Sequence, residues 1–179
     1  MKNYRRINGS ESFIIDKDIF IDTNVWIITN GPQSSSQIDR IEYYTQILNS
    51  VILSGRKIYI TDICISEIFN VIFAYFRKLY SNNVNNKNYK RSQHYLENID
   101  AIFSYIEIII STPNLILYNT KELYHFPIKI DDRLDFNDGI YAKICMDNDL
   151  ILITDDSDFK QIECDIISCN TQLCPIANV

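Results

Sequence analysis

An α/β fold is predicted: a three-layer sandwich with a mostly parallel central sheet of about four or five strands flanked by helices. Three observations predict it. Short Ile-rich runs alternate with longer segments whose apolar residues recur every three or four positions. The runs break into Asp, Thr and Ser, residue types that cap the helices strands feed into. Of the 179 residues 46% are hydrophobic, with only four Gly and four Pro, which suits a packed core and excludes disordered or fibrous classes. One domain over residues 1–179 is expected, with residues 1–17 as an N-terminal extension packed on the surface and residues from about 80 to 110 as a helical hairpin elaboration.

The first predicted strand is Ile19 to Ile21, ending at Asp22 and leading through Thr23 and Asn24 into a helix. Gly31-Pro-Gln-Ser-Ser-Ser is a loop whose Ser36 caps a helix from Gln37 to about Ser54, stopped by Gly55. Lys57 to Thr61 is a second strand, with Thr61-Asp62 capping a helix whose Ile65, Ile68, Phe69, Ile72, Phe73 and Phe76 leave little polar surface. Glu67 lies either on that narrow strip or in a cleft near the helix start. The polar stretch Asn82 to Asn88 separates it from a helix of about five turns with Leu96, Ile99, Ile102, Phe103 and Ile106 as apolar positions. Asn114 to Tyr118 is a third strand, followed by a short helical or irregular stretch from Lys121 to Pro127 and by Ile128 to Leu134. Asp135 and Asp138 open a helix carrying Ile140, Ile144 and Cys145, and Leu150 to Ile153 is a buried strand that breaks into Thr154, Asp155, Asp156, Ser157 and Asp158. Asp165 to Cys169 is a last strand, placed at a sheet edge.

Asp22, Glu67, Asp138 and the Asp155, Asp156 and Asp158 group thus fall at strand ends or helix starts, which emerge together at one edge of a parallel sheet. Taken singly, Asp22 and Asp135 are also ordinary caps. Crowded carboxylates repel one another unless a cation lies among them, and hard oxygen ligands suit Mg²⁺ or Mn²⁺. Such a set can promote attack of water on a phosphodiester.

The motifs Ile19-Phe-Ile-Asp-Thr-Asn-Val-Trp, Ile60-Thr-Asp-Ile-Cys-Ile-Ser-Glu, Asp135-Phe-Asn-Asp-Gly-Ile-Tyr-Ala-Lys-Ile and Leu152-Ile-Thr-Asp-Asp-Ser-Asp-Phe, in that order, resemble a PIN domain over roughly residues 18–170. The resemblance implies a metal-dependent endoribonuclease in which Asp22, Glu67, Asp138 and Asp156 are catalytic and hold Mg²⁺ or Mn²⁺. Asp158 assists, and Asp155 competes with Asp156 for the last acidic position. Thr23, Asn24 and Thr154 support the acids. Water attacks phosphorus in line and leaves a 5′-phosphate and a 3′-hydroxyl. The same resemblance implies the toxin half of a toxin–antitoxin pair, with RNA as substrate and an antitoxin protein as partner; a homodimer is one assembly open to the chain, and the sequence leaves the oligomeric state undecided. A non-catalytic PIN-like interaction module, a DNA nuclease and an RNA-processing nuclease of the same fold remain alternatives.

A net charge of −6 argues against a bulk electrostatic grip on nucleic acid. Its distribution is uneven, because Arg77, Lys78, Lys87, Lys90 and Arg91 fall in a window without a single acid, interleaved with Tyr75, Tyr80, Tyr89 and Tyr95. That pattern makes the hairpin a candidate RNA contact, against the alternative of core tyrosines and solvated cations. Five Cys without a close Cys-x-x-Cys pair or a neighbouring His indicate buried thiols rather than a zinc site or disulfide framework. No apolar run reaches the roughly 18 residues of a membrane span, and the polar start is unlike a signal peptide, so the expected compartment is the cytoplasm.

Overall fold

The structure, a computed structural model, describes residues 4–8, 14–32, 38–121 and 134–175. Six strands, β1 (Arg6–Asn8), β2 (Ile19–Ile21), β3 (Ile58–Thr61), β4 (Leu115–Tyr118), β5 (Ile151–Ile153) and β6 (Asp165–Ser168), form one sheet in the order β1-β6-β5-β2-β3-β4. All paired neighbours run parallel. The central strands β2 and β5 are buried at every position, which is why they read as unbroken Ile, Leu and Phe rather than as an alternating pattern.

Two features depart from the sequence reading. The sheet has six strands rather than four or five because Arg6–Asn8, inside the presumed surface extension, pairs with β6. The strand Asp165–Ser168 is therefore flanked on both sides and is not at the edge. Three residues are too few to show a period, and β1 is held by its ladder with β6, by Arg6 bonds to the Cys164 and Ile162 carbonyls and by an ion pair just before it. Arg5 bonds Asp165 through its backbone N–H at 2.8 Å and its guanidinium at 2.8 Å.

Six helices complete the described fold: α1 (Thr23–Asn30), α2 (Ile38–Ser54), α3 (Asp62–Tyr80), α4 (Asn86–Tyr89), α5 (Gln93–Ile110) and α6 (Phe136–Asn148). Helix α1 packs on α2, α3 and α5, whereas α6 packs on β2 and β5. Right-handed crossovers account for the segregation: β2 to β3 to β4 advances across the sheet with one set of helices, and the return from β4 to β5 puts α6 on the other face. Gly55, at φ +70°, ends α2 in the left-handed conformation that suits glycine, as its position in the sequence predicts. Thr61 and Ser92 cap α3 and α5 by accepting from the N–H groups of Cys64 and Tyr95.

The hairpin is real but differs in detail. A four-residue helix, α4, interrupts the expected loop, and Leu96 and Phe103 of α5 are 60% and 50% exposed, while Ile102 and Ile109 carry the packing. The proposed Ser36 cap, Gln37 and the stretch from Glu122 to Arg133 lie outside the described residues. Cys64, Cys145, Cys164 and Cys174 are buried free thiols, and Cys169 is a partly buried one. No described helix is long and apolar enough to cross a membrane.

Candidate active site

The chain order reverses direction between β2 and β5, so their carboxyl ends open a crevice at the switch point of the sheet. A cleft of about 570 Å³ occupies it, lined among the described residues by Asp22, Glu67, Asp135, Asp138 and Asp156, by Thr23, Asn24 and Asn70, by the apolar Ile27, Ile28 and Val71, and by one cation, Arg40.

Asp22 ends β2 and is 3% exposed. It stands at the N-cap position of α1 without making a side-chain cap, so capping does not explain it. Its Oδ2 accepts a 2.6 Å bond from the Thr154 hydroxyl. Burial, opposed by that bond, and the nearby carboxylates of Asp156 and Glu67 push its pKa up to about 7. Asp138 lies in the first turn of α6, where Asp135 caps the helix by accepting from the Asp138 N–H at 2.9 Å. Burial and the charges of Asp22, Asp135, Asp156 and Glu67 push the Asp138 carboxyl up to about 8. Two acids held this far above their usual range mark a place where burial and neighbouring carboxylates act together.

The three acids after β5 separate cleanly. Asp155 is not among the cleft-lining residues; it accepts a 2.8 Å bond from the Tyr44 hydroxyl and pairs with Arg40. Asp158 is exposed and is not among the cleft-lining residues. Asp156 lines the cleft, while its Oδ1 caps the following 3-10 turn, Ser157–Gln161, by accepting from the Asp158 N–H. Thr154 ties this loop together, donating to Asp22 and accepting the Asp156 N–H at 3.0 Å. Asn24 accepts the Asp155 N–H at 3.2 Å.

Glu67 enters from α3, and three donors converge on it. Oε2 accepts 2.6 Å bonds from the hydroxyls of Thr23 and Tyr141, and Oε1 accepts from the Asn137 amide. Burial drives the Tyr141 phenol well above its usual pKa and keeps it a neutral donor.

The donor set is all carboxylate oxygen, and burial together with mutual repulsion of these carboxylates raises Asp22 and Asp138, so the residues fit a hard divalent cation. Among the described residues no three acid, His or Cys side chains already close into a ligand cage. An open ring is compatible with Mg²⁺, which keeps several waters and takes one or two carboxylates directly.

Tyr141, Asn137, Arg40 and Tyr44 were not singled out in the sequence. The Arg77 guanidinium donates to the Val84 carbonyl at 2.6 Å, and Lys90 stands over the Phe73 ring at 5.4 Å. Lys78, Lys87 and Arg91 are exposed. None of these five lines the cleft. Lys78 follows Glu67 by eleven residues, about 16 Å along α3.

Comparison with known proteins accords with this geometry. Residues 19–163 match the family model described as PIN domain, a span that includes β2 to β5 and every acid of the cleft. No curated protein matches. Among solved structures, VapBC2 from Rickettsia felis, crystallised bound to a DNA fragment from its promoter, is similar, at 14% identity and a TM-score of 0.50, over 84% of this chain and 97% of that one. At that identity the likeness is one of fold.

Proposed function

The chain belongs to the PIN domain family, and from that premise we propose that it is a Mg²⁺- or Mn²⁺-dependent endoribonuclease whose Asp22, Glu67, Asp138 and Asp156 hold the cation. The observation that supports this most strongly is the convergence of acids from β2, α3, α6 and the end of β5 on one cleft whose single cationic lining residue, among the described residues, is Arg40. Arg40 is itself engaged by Asp155.

A divalent cation bound there supplies charge neutralisation and makes water acidic enough to be a nucleophile near neutral pH. The chain supplies the rest. Thr154 orients Asp22 and the backbone of Asp156 together, Asp135 fixes the first turn of α6 and hence Asp138, and Thr23 holds Glu67. The cleft repels phosphate until its charge is neutralised, so substrate binding depends on cation and falls with salt. Contact of RNA with Lys78, Lys87, Lys90 and Arg91 beyond the cleft belongs to the same proposal. So does the toxin half of a toxin–antitoxin pair with an antitoxin protein as partner, which rests on the family resemblance.

Labelled RNA and DNA incubated with the purified protein, with and without Mn²⁺, test the reading beside an Asp138→Asn variant. Cation-dependent RNA cleavage that drops at least a hundredfold in the variant is expected. Equal cleavage by both proteins overturns the site, and cleavage confined to DNA overturns the substrate.

A further inference from the structure

The carboxylate of Glu67 has two oxygens and about four lone-pair directions between them. Three are occupied: two on Oε2, by Thr23 and Tyr141 at 2.6 Å each, and one on Oε1, by Asn137. One direction on Oε1 is left. We propose that Tyr141 is the positioning residue that decides how Glu67 meets the cation: with Thr23 it saturates Oε2, so that Glu67 offers a divalent ion one oxygen only, through Oε1. This inference rests on the reading of the cleft as a cation site.

The placement of Tyr141 gives the clamp its force. Tyr141 lies three residues after Asp138 on α6, so the helix that brings its own acid to the cleft also holds the acid of α3. Thr23 directly follows Asp22 in sequence, so the bond from the other side comes from the element carrying the first acid. The ring of Tyr141 is fully buried and packs on Phe20 of β2, with centroids 5.0 Å apart, which fixes the position of its hydroxyl oxygen, 2.6 Å from Glu67 Oε2 and 3.4 Å from the Thr23 hydroxyl. Glu67 therefore takes its working orientation only when α1, α3 and α6 are all docked, and the cation has no side-chain freedom to quench at that ligand.

Tyr141→Phe removes the hydroxyl and keeps the buried ring. The experiment is a calorimetric titration of Mn²⁺ into the wild type, Tyr141→Phe, Glu67→Gln and the double variant, with circular dichroism confirming the fold of each. Tyr141→Phe is expected to weaken Mn²⁺ binding about 10–100-fold, the usual effect of removing a group that orients a metal ligand. In the Glu67→Gln background the same change is expected to add almost nothing, because its effect passes through Glu67. Thr23→Val serves as a second variant on the other Oε2 bond, with the same expectation. If Tyr141→Phe binds Mn²⁺ as well as the wild type or more tightly, or if its loss persists undiminished beside Glu67→Gln, the clamp is overturned while the cation site stands. A wild type that binds no Mn²⁺ overturns the cation site and the clamp with it.

Discussion

At the scale of single residues, the acids set the pH behaviour of the cation-free protein. Asp22 and Asp138 are raised from 3.8 to about 7 and about 8 by burial and by neighbouring carboxylates, so the folded state holds protons that the unfolded chain has released. Their contribution to stability is complete below 3.8 and is lost as pH rises through about 7 and 8. Thermal melts in chelator are accordingly expected to show Tm declining between pH 5 and 8, and Mn²⁺ is expected to restore it by mass action. Asp138→Asn removes one repelling charge; because the site is partly solvated, the gain is only about 1 kcal/mol, or about 2–4 °C in cation-free Tm at pH 8. A variant more stable yet inactive identifies the acid as functional. Asp22, Asp138 and Asp156 could be read in the sequence because each follows a strand or opens a helix, whereas Glu67, inside α3, was marked only by the family resemblance. Tyr141 could not: it stands among apolar neighbours in α6, and its partner Glu67 is 74 positions away. Arg40 and Tyr44 were hidden likewise, their partner Asp155 lying beyond a hundred intervening residues.

Among elements, the loop after β5 is the critical junction. Thr154 is fully buried, and its hydroxyl both donates to Asp22 and accepts from Asp156. Thr154→Val keeps the shape and leaves both partners unsatisfied, with an expected loss of about 1–3 kcal/mol measurable by urea titration. Activity is expected to fall further than stability does, because Asp22 loses its orientation. Helix α2 is held to the same region by Tyr44, whose hydroxyl meets the Thr154 carbonyl, Asp155, Ser168 and the Cys169 N–H. The sequence shows α2 as an ordinary amphipathic helix, since a buried tyrosine at an apolar position has the same periodicity as a leucine. The boundaries set by Thr61, Asp135 and Gly55 were legible for a physical reason, as these residues act through bonds to residues within one turn. The exposed Leu96 and Phe103 were not, because periodicity marks an apolar stripe without saying how far the neighbouring helix covers it.

For the whole molecule, the sheet divides into a part inside the span matched by the family and a part outside it. Residues 19–163 hold β2 to β5, and the β1–β6 pair lies outside that span. Arg5, with Lys17 at 3.1 Å, fixes the pair through Asp165, whose side chain is 6% exposed. Burial alone would raise the Asp165 pKa, but the Arg5 N–H and guanidinium and the Lys17 ammonium hold it below 3.8. This contribution has the opposite sign to that of the cleft: it is present above 3.8 and is lost as acid protonates Asp165. Arg5→Ala is expected to cost about 1–3 kcal/mol at pH 7, with part of the difference vanishing in acid, as chemical denaturation at pH 7 and pH 3 would measure. The α/β class and the parallel centre follow from alternating short strands and helices, whereas β1 is too short to announce itself and depends on a residue 160 positions away. The most direct measurement of the central claim is the identity of the ends left on RNA. With Mn²⁺ the fragments are expected to carry 5′-phosphate and 3′-hydroxyl groups, and chelator is expected to abolish their formation. Cyclic 2′,3′-phosphate ends, or cleavage indifferent to chelator, would contradict it.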